Sequence, residues 1–228
     1  MSSSLAASAL SWWEEAGVDV VVGEEPRDWL NPKAKATAAE PSAPPPDALP
    51  DTLAGFQAWL AETDKIPFAT AGAPRAAPTG DPAAGLMVMT DMPSIDGGLV
   101  SGEAGALFDR MLAAIGRDRA TIYLAPLSPI RTATGAIDAA SAVKLADLAR
   151  HHIGLAAPKV LLLFGDLCGK ALVGSAVAGA RARWHDLATA AGPIRTLVTI
   201  RPEKLVDRPA LKKFVWDDLQ MLMEEVKP

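Results

Sequence analysis

Four short stretches of this sequence hold side chains able to do chemistry. The first runs over residues 90–98, where Asp91 and Asp96 flank Met92, Pro93 and Ser94 and the pair Gly97–Gly98 follows. A carboxylate in such a turn can orient a water or act as a general base, and proline and glycines let the backbone approach a ligand. The plainer reading is that Asp91 makes a turn hydrogen bond after a strand and the glycines only permit the turn. The second stretch, residues 125–132, places Arg131 and Ser128 among prolines, with Arg131 either a phosphate clamp or a solvated charge. The third, Gly165–Asp166, reads as structural, with Gly165 for a turn and Asp166 capping a helix. The fourth holds Arg201, Pro202, Lys204 and Arg208. Three cations so close suit phosphate contacts; set against Glu203 and Asp207, they equally make a salt-bridged loop.

Hydrophobic patterning sets these stretches in place. Apolar runs predict strands over residues 86–90, 121–124, 159–164 and 195–200. Helical spacing predicts helices over 103–115, 138–153 with Asp138 as cap, 166–173, and 209–225 with Pro209 in its first turn. Strand–helix alternation of this kind implies a three-layer α/β/α fold around a short four-stranded parallel sheet. Ligands in such sheets sit outside the carboxyl ends of the strands, and all four stretches fall there. Upstream, residues 51–62 read as a helix capped by Asp51, and residues 67–85 as loop. Residues 32–50, with six prolines and six alanines, read as an extended linker. Residues 1–31 read as a leader opening with a short helix that carries Trp12 and Trp13. The organisation is thus a leader (1–31), a linker (32–50) and a domain (51–228) whose core is 86–228.

Composition narrows the function. The chain has 228 residues and one cysteine, Cys168, which excludes a disulfide framework, a zinc ribbon and an iron–sulfur cluster held by its own thiolates. Cys168 reads as a small core residue. His151 and His152 end a helix, His185 follows Trp184 in a loop, and the three form no site; no metal site is expected. No apolar run approaches the ~20 residues of a membrane span, and no export signal precedes the first helix, so a cytoplasmic protein with no membrane partner is expected. The formal net charge of −5 speaks mildly against binding nucleic acid by charge alone. That total is uneven. Residues 1–85 hold 5 basic and 12 acidic side chains, for −7, and residues 86–228 hold 17 and 15, for +2.

Several strings in order carry a resemblance. Residues 108–116 (FDRMLAAIG), 157–165 (APKVLLLFG), Arg201-Pro202, 209–213 (PALKK) and 216–219 (WDDL) resemble the uracil-DNA glycosylase superfamily, specifically its iron–sulfur-type, family-four enzymes. Residues 12–26 resemble the leader of some members. The resemblance implies an enzyme that flips uracil out of DNA and breaks its N-glycosidic bond. In that family a carboxylate-bearing first motif places water, an aromatic stacks on the base, an Asn reads its edge and a His stabilises the departing anion. Most of this set is altered here. Asp91 keeps a shorter carboxylate in the first motif, with Met92, Pro93 and Ser94 lining the base pocket. Val100 aligns with the stacking aromatic, Pro126 with the Asn and Arg201 with the His. The cluster cysteines have no counterparts, so the family's iron–sulfur cluster is expected to be absent, with no other cofactor.

Three readings follow. The chain is a divergent member with lost or altered base excision that binds DNA, through Arg131, Pro202, Lys204 and Arg208. Alternatively it is an active glycosylase on another damaged or deaminated base, using Asp91 and Arg201 and, more weakly, Asp96. Or it is a non-catalytic scaffold that binds a protein through the N-terminal helix.

Overall fold

A computed structural model describes residues 49–70 and 73–226 of the chain. The leader, its helix with Trp12 and Trp13, and all but the last two residues of the linker lie outside the described residues.

The sheet is built on three apolar strands and one mixed one: β2 (Leu86–Thr90), β3 (Tyr123–Pro126), β4 (Val160–Phe164) and β6 (Gly192–Thr199). Every residue of β2, β3 and β4 is buried, as near-continuous apolar runs require when helices cover both faces of a sheet. These four strands are parallel, in the order β3-β2-β4-β6, so the predicted α/β sheet is present. Two antiparallel strands were not predicted and bring the sheet to six. They are β1 (Thr79–Gly80), beside β3, and β5 (Trp184–Thr189), beside β6. Both are edge strands. The first is too short for any alternation, and the second mixes exposed and half-buried residues about a buried Leu187, so neither has the apolar run of a central strand. Trp184 and His185 therefore lie in a strand rather than a loop, and β5 returns into β6 through Ala190–Ala191 with Gly192 at φ 114°.

The helices are α1 (Leu53–Glu62), α2 (Gly102–Ala114), α3 (Ala139–Ala156), α4 (Asp166–Cys168), α5 (Val177–Ala180), α6 (Pro202–Asp207) and α7 (Lys212–Glu225). Asp138 caps α3 as read, accepting the Ser141 N–H at 2.9 Å. Thr52, not Asp51, caps α1. Helix α4 widens at once into a π turn, Gly169–Val173.

Two departures bear on the site. First, Asp118 accepts the N–H groups of Ala120 and Thr121 while the Thr121 hydroxyl accepts the Asp118 N–H, closing a tight turn over Arg119–Thr121. The strand consequently starts two residues later than predicted, and Pro126 falls inside it, opposite Thr90. Second, most of the segment 201–208 is a helix, α6, started by Pro202 at its first position, rather than a loop.

Chain order sets the crevice. From β2 the chain crosses to β3 on one side, then passes back over β2 to β4 on the other, so α2 and α3 cover opposite faces. α2 packs with α6, and α3 with α1 and the π turn. The strand order reverses between β2 and β4, and the ends of those two strands are Thr90 and Phe164. No helix among the described residues is long and apolar enough to cross a membrane.

Candidate functional site

Asp91 leaves β2 at this switch point and Gly165 leaves β4 beside it. Gly165 has φ +104°, a backbone region that L side chains avoid, and a Cβ built there would lie 2.3 Å from Asp91 Oδ2. Glycine is required both for its conformation and for the close approach of a carboxylate. Turning at Gly165 aims the first N–H groups of α4 at Asp91, whose Oδ1 accepts from the Cys168 N–H at 2.9 Å. The Asp91 backbone is tied as well, its carbonyl accepting the Ser128 N–H at 3.1 Å.

The other oxygen, Oδ2, lies 3.8 Å from Arg201 Nη1. Arg201 comes from the far side of β4: it follows β6 and occupies the N-cap of α6. The Asp91 side chain is 11% exposed and that of Arg201 is 42% exposed. Burial raises the Asp91 carboxyl above its ordinary value, against the opposing pull of the Cys168 N–H and the Arg201 charge. Arg201 Nε and the Thr90 hydroxyl are buried and have no hydrogen-bond partner among the described residues. A carboxylate with one oxygen held and the other facing a guanidinium can orient a water, and the guanidinium can meet an anion.

This pair stands in a cleft of about 780 Å³ whose walls include Met92, Ile137, Val143 and Leu167 and whose cations are Arg150, Lys170, Arg201 and Lys204. An adjoining cleft of about 680 Å³ shares Asp166, Arg201 and Lys204 with it and adds Arg181 and Arg208. Lys204 Nζ donates to Asp166 Oδ2 at 2.7 Å, while Asp166 Oδ1 accepts the Val177 N–H at 3.0 Å. The Lys204 bond holds the Asp166 carboxyl below its ordinary value. Asp166 thus joins α4, α5 and α6 beneath the cations. Arg150 and Lys170 were missed in the sequence. Each sits inside a helical segment, where which side faces the cleft depends on packing and leaves no local mark.

The remaining candidates are spread more widely. Met92 lines the cleft. The Pro93 carbonyl accepts from Arg131 Nη1 at 2.9 Å, so Arg131 ties the loop after β2 to the segment after β3. Ser94 closes a turn with Gly98, and its hydroxyl accepts the Ser101 N–H. Asp96 is exposed on that turn, accepting from the Gly98 N–H and the Ser101 hydroxyl; these bonds, the hydroxyl's first, hold its carboxyl below the ordinary value. It lines neither cleft.

Val100 is 2% exposed in the core, at φ 52°, with its carbonyl accepting from Arg119 Nη2. Pro126 faces a separate, small apolar cavity under α1, shared with Phe56, Leu145 and His152. Neither is brought to the cleft. Pro202 is buried in the first turn of α6, and Arg208 reaches the adjoining cleft only. None of the histidines lines either cleft: His151 bonds the Pro50 carbonyl, His152 the Tyr123 hydroxyl and His185 the Ala180 carbonyl.

Compared with known proteins, the chain matches the family model described as the Uracil DNA glycosylase superfamily over residues 77–220. No curated protein matches it. The matched stretch spans all four central strands, both walls of the cleft, and α7 up to Gln220.

Proposed function

The chain belongs to the uracil-DNA glycosylase superfamily, and from that membership we propose that it is a divergent member that binds DNA across the switch-point cleft and has lost or altered ordinary uracil excision. One contrast carries this reading. The two adjoining clefts are rimmed by Arg150, Lys170, Arg201, Lys204 and Arg208, side chains suited to backbone phosphates. The positions that the resemblance assigns to stacking on the base and reading its edge are Val100 in the core and Pro126 in a strand. A flipped base needs an aromatic or apolar platform and hydrogen bonds to its edge, and removing one member of a catalytic set already costs orders of magnitude in rate.

The family's iron–sulfur cluster does not fit these residues. Such clusters need several thiolates, and the only cysteine, Cys168, is fully buried. Burial pushes its thiol well above the ordinary value, and the sulfur lies 3.8 Å from the Met89 carbonyl. Among the described residues, no three His, Cys, Asp or Glu side chains gather as a metal site would require.

A second reading rests on the Asp91–Arg201 pair. Asp91 Oδ2 would take a proton from water as the water oxygen bonds to the anomeric carbon. The carbon–nitrogen bond would break with its electrons leaving on the base, and Arg201 would stabilise that anion.

One panel separates the readings. The protein is incubated with single- and double-stranded oligonucleotides carrying uracil, hypoxanthine, xanthine or a mismatch, abasic sites are revealed by alkaline cleavage, and binding is measured alongside. Binding without abasic product supports the divergent binder. Abasic sites that vanish with Asp91→Ala or Arg201→Ala establish the second reading. Absent or salt-insensitive binding overturns both and leaves the scaffold.

A further inference from the structure

On the face opposite α1 and α3, helices α2, α6 and α7 line a groove of about 530 Å³. Its floor is the side chains of Leu205, Val215 and Leu219, each at most 3% exposed. Along α2 its wall is Leu107, Met111 and Ala114, which fall on one stripe by their i, i+4, i+7 spacing. Along α7 its wall is Trp216, a residue that stays 42% exposed. The groove shares no residue with the two clefts around Arg201.

Its charge is one-sided. Arg110 stands on the α2 side, Lys212 and Lys213 on the α7 side, and no lining residue is acidic. These cations have weak claims on them within the molecule: Arg110 Nε reaches its own helix at the Ala106 carbonyl, 3.2 Å away, and Lys213 Nζ lies 4.8 Å from the Phe214 ring. An apolar trough with a half-exposed tryptophan and a wholly basic rim has the makings of a helix-in-groove site. We propose that this groove docks an acidic amphipathic segment of a partner protein, its apolar residues seated against Met111 and Trp216 and its carboxylates facing Arg110, Lys212 and Lys213. A polypeptide fits better than nucleic acid, because apart from Trp216 the floor and walls are aliphatic, and bases stack on aromatic faces rather than on aliphatic side chains.

The test uses the full chain and a fluorescein-labelled helical probe peptide of about 15 residues, with leucine or phenylalanine at i, i+3, i+4 and i+7 and glutamate or aspartate elsewhere. Fluorescence anisotropy should give saturable binding. A charge-inverted probe, with lysine for every acid, should not bind. The double variant Lys212→Glu/Lys213→Glu, exposed at both positions, should weaken binding at least about tenfold, as should Trp216→Ala. Circular dichroism and thermal melts check that each variant is folded. In ¹⁵N-resolved spectra of the complex, the Trp216 indole N–H should shift while backbone amides around Asp91 stay put.

No binding of the acidic probe, equal binding of the basic probe, or indifference of folded variants would overturn the proposal. So would displacement of the probe by a mixed-sequence oligonucleotide whose own binding is lost in the double-lysine variant, which would assign the groove to nucleic acid. The DNA-binding reading of the Arg201 cleft is measured on different residues and stands or falls separately.

Discussion

At the scale of single residues, Gly165 and Asp91 show how one backbone requirement shapes a cleft. With φ at +104° and the Asp91 carboxylate within 2.3 Å of any added Cβ, Gly165→Ala should cost about 2 kcal/mol or more and push Asp91 away from Arg201, which denaturant melts and the loss of any Asp91-dependent function would register. His152 illustrates a different residue-scale effect. It is 3% exposed, its Nε2 lies 2.7 Å from the Tyr123 hydroxyl, and burial, aided by the neighbouring His151, lowers its pKa from 6.5 to about 4. The unfolded chain takes up a proton below pH 6.5 where the folded chain does not. Stability should therefore be full above that pH and fall as pH drops towards 4, by about 3 kcal/mol from this group. Urea midpoints measured from pH 7 to pH 4 should show the slope, and His152→Gln should flatten it. The sequence marked Asp91, Arg201 and Lys204 as strand-end groups because the apolar runs before them were plain. The fates of Val100 and Pro126 were not legible. A valine in a loop faces the core or solvent according to the path of the chain, and a two-residue shift of β3 carried Pro126 into the sheet.

At the scale of elements, α7 is an amphipathic helix fastened to the sheet by a polar knot within its buried face. Asp218 is wholly buried; it accepts the Thr199 hydroxyl at 2.6 Å, Arg181 Nη2 at 3.0 Å and the Ala182 N–H at 3.2 Å. Arg181 also donates to the Phe214 carbonyl and lies over its ring, 5.0 Å from the centroid. Removing the acid strands a guanidinium and a hydroxyl, so Asp218→Ala should cost about 3 kcal/mol, read as a shift in the denaturation midpoint. Because Thr199 ends β6 two residues before Arg201, the same substitution should also loosen the cleft wall. The strands and most helices were legible from apolar runs, caps and Pro209. The edge strands, the helix at 202–207 and the π turn were not, since each depends on a neighbour to pair with or pack against rather than on its own pattern.

At the scale of the molecule, charge is the informative quantity. The acidic total belongs to residues 1–85, at −7, while residues 86–228 carry +2, and folding gathers six cations of that second part around two adjoining clefts. If those cations meet phosphates, log affinity for DNA should fall linearly with log salt, and neutralising Arg201, Lys204 and Arg208 together should lower the slope by about 3. Titrations from low to physiological salt with wild type and the triple variant check this. The sequence by itself determined the parallel α/β sheet and its covering helices, because hydrophobic periodicity and caps are local and strand–helix alternation favours parallel pairing. Only the tertiary structure decided that Asp91 and Arg201 meet, that Arg150 and Lys170 join them, and that Val100 and Pro126 do not. Those distances arise where residues far apart in the chain are brought together by the reversal of strand order between β2 and β4, and no local pattern encodes them.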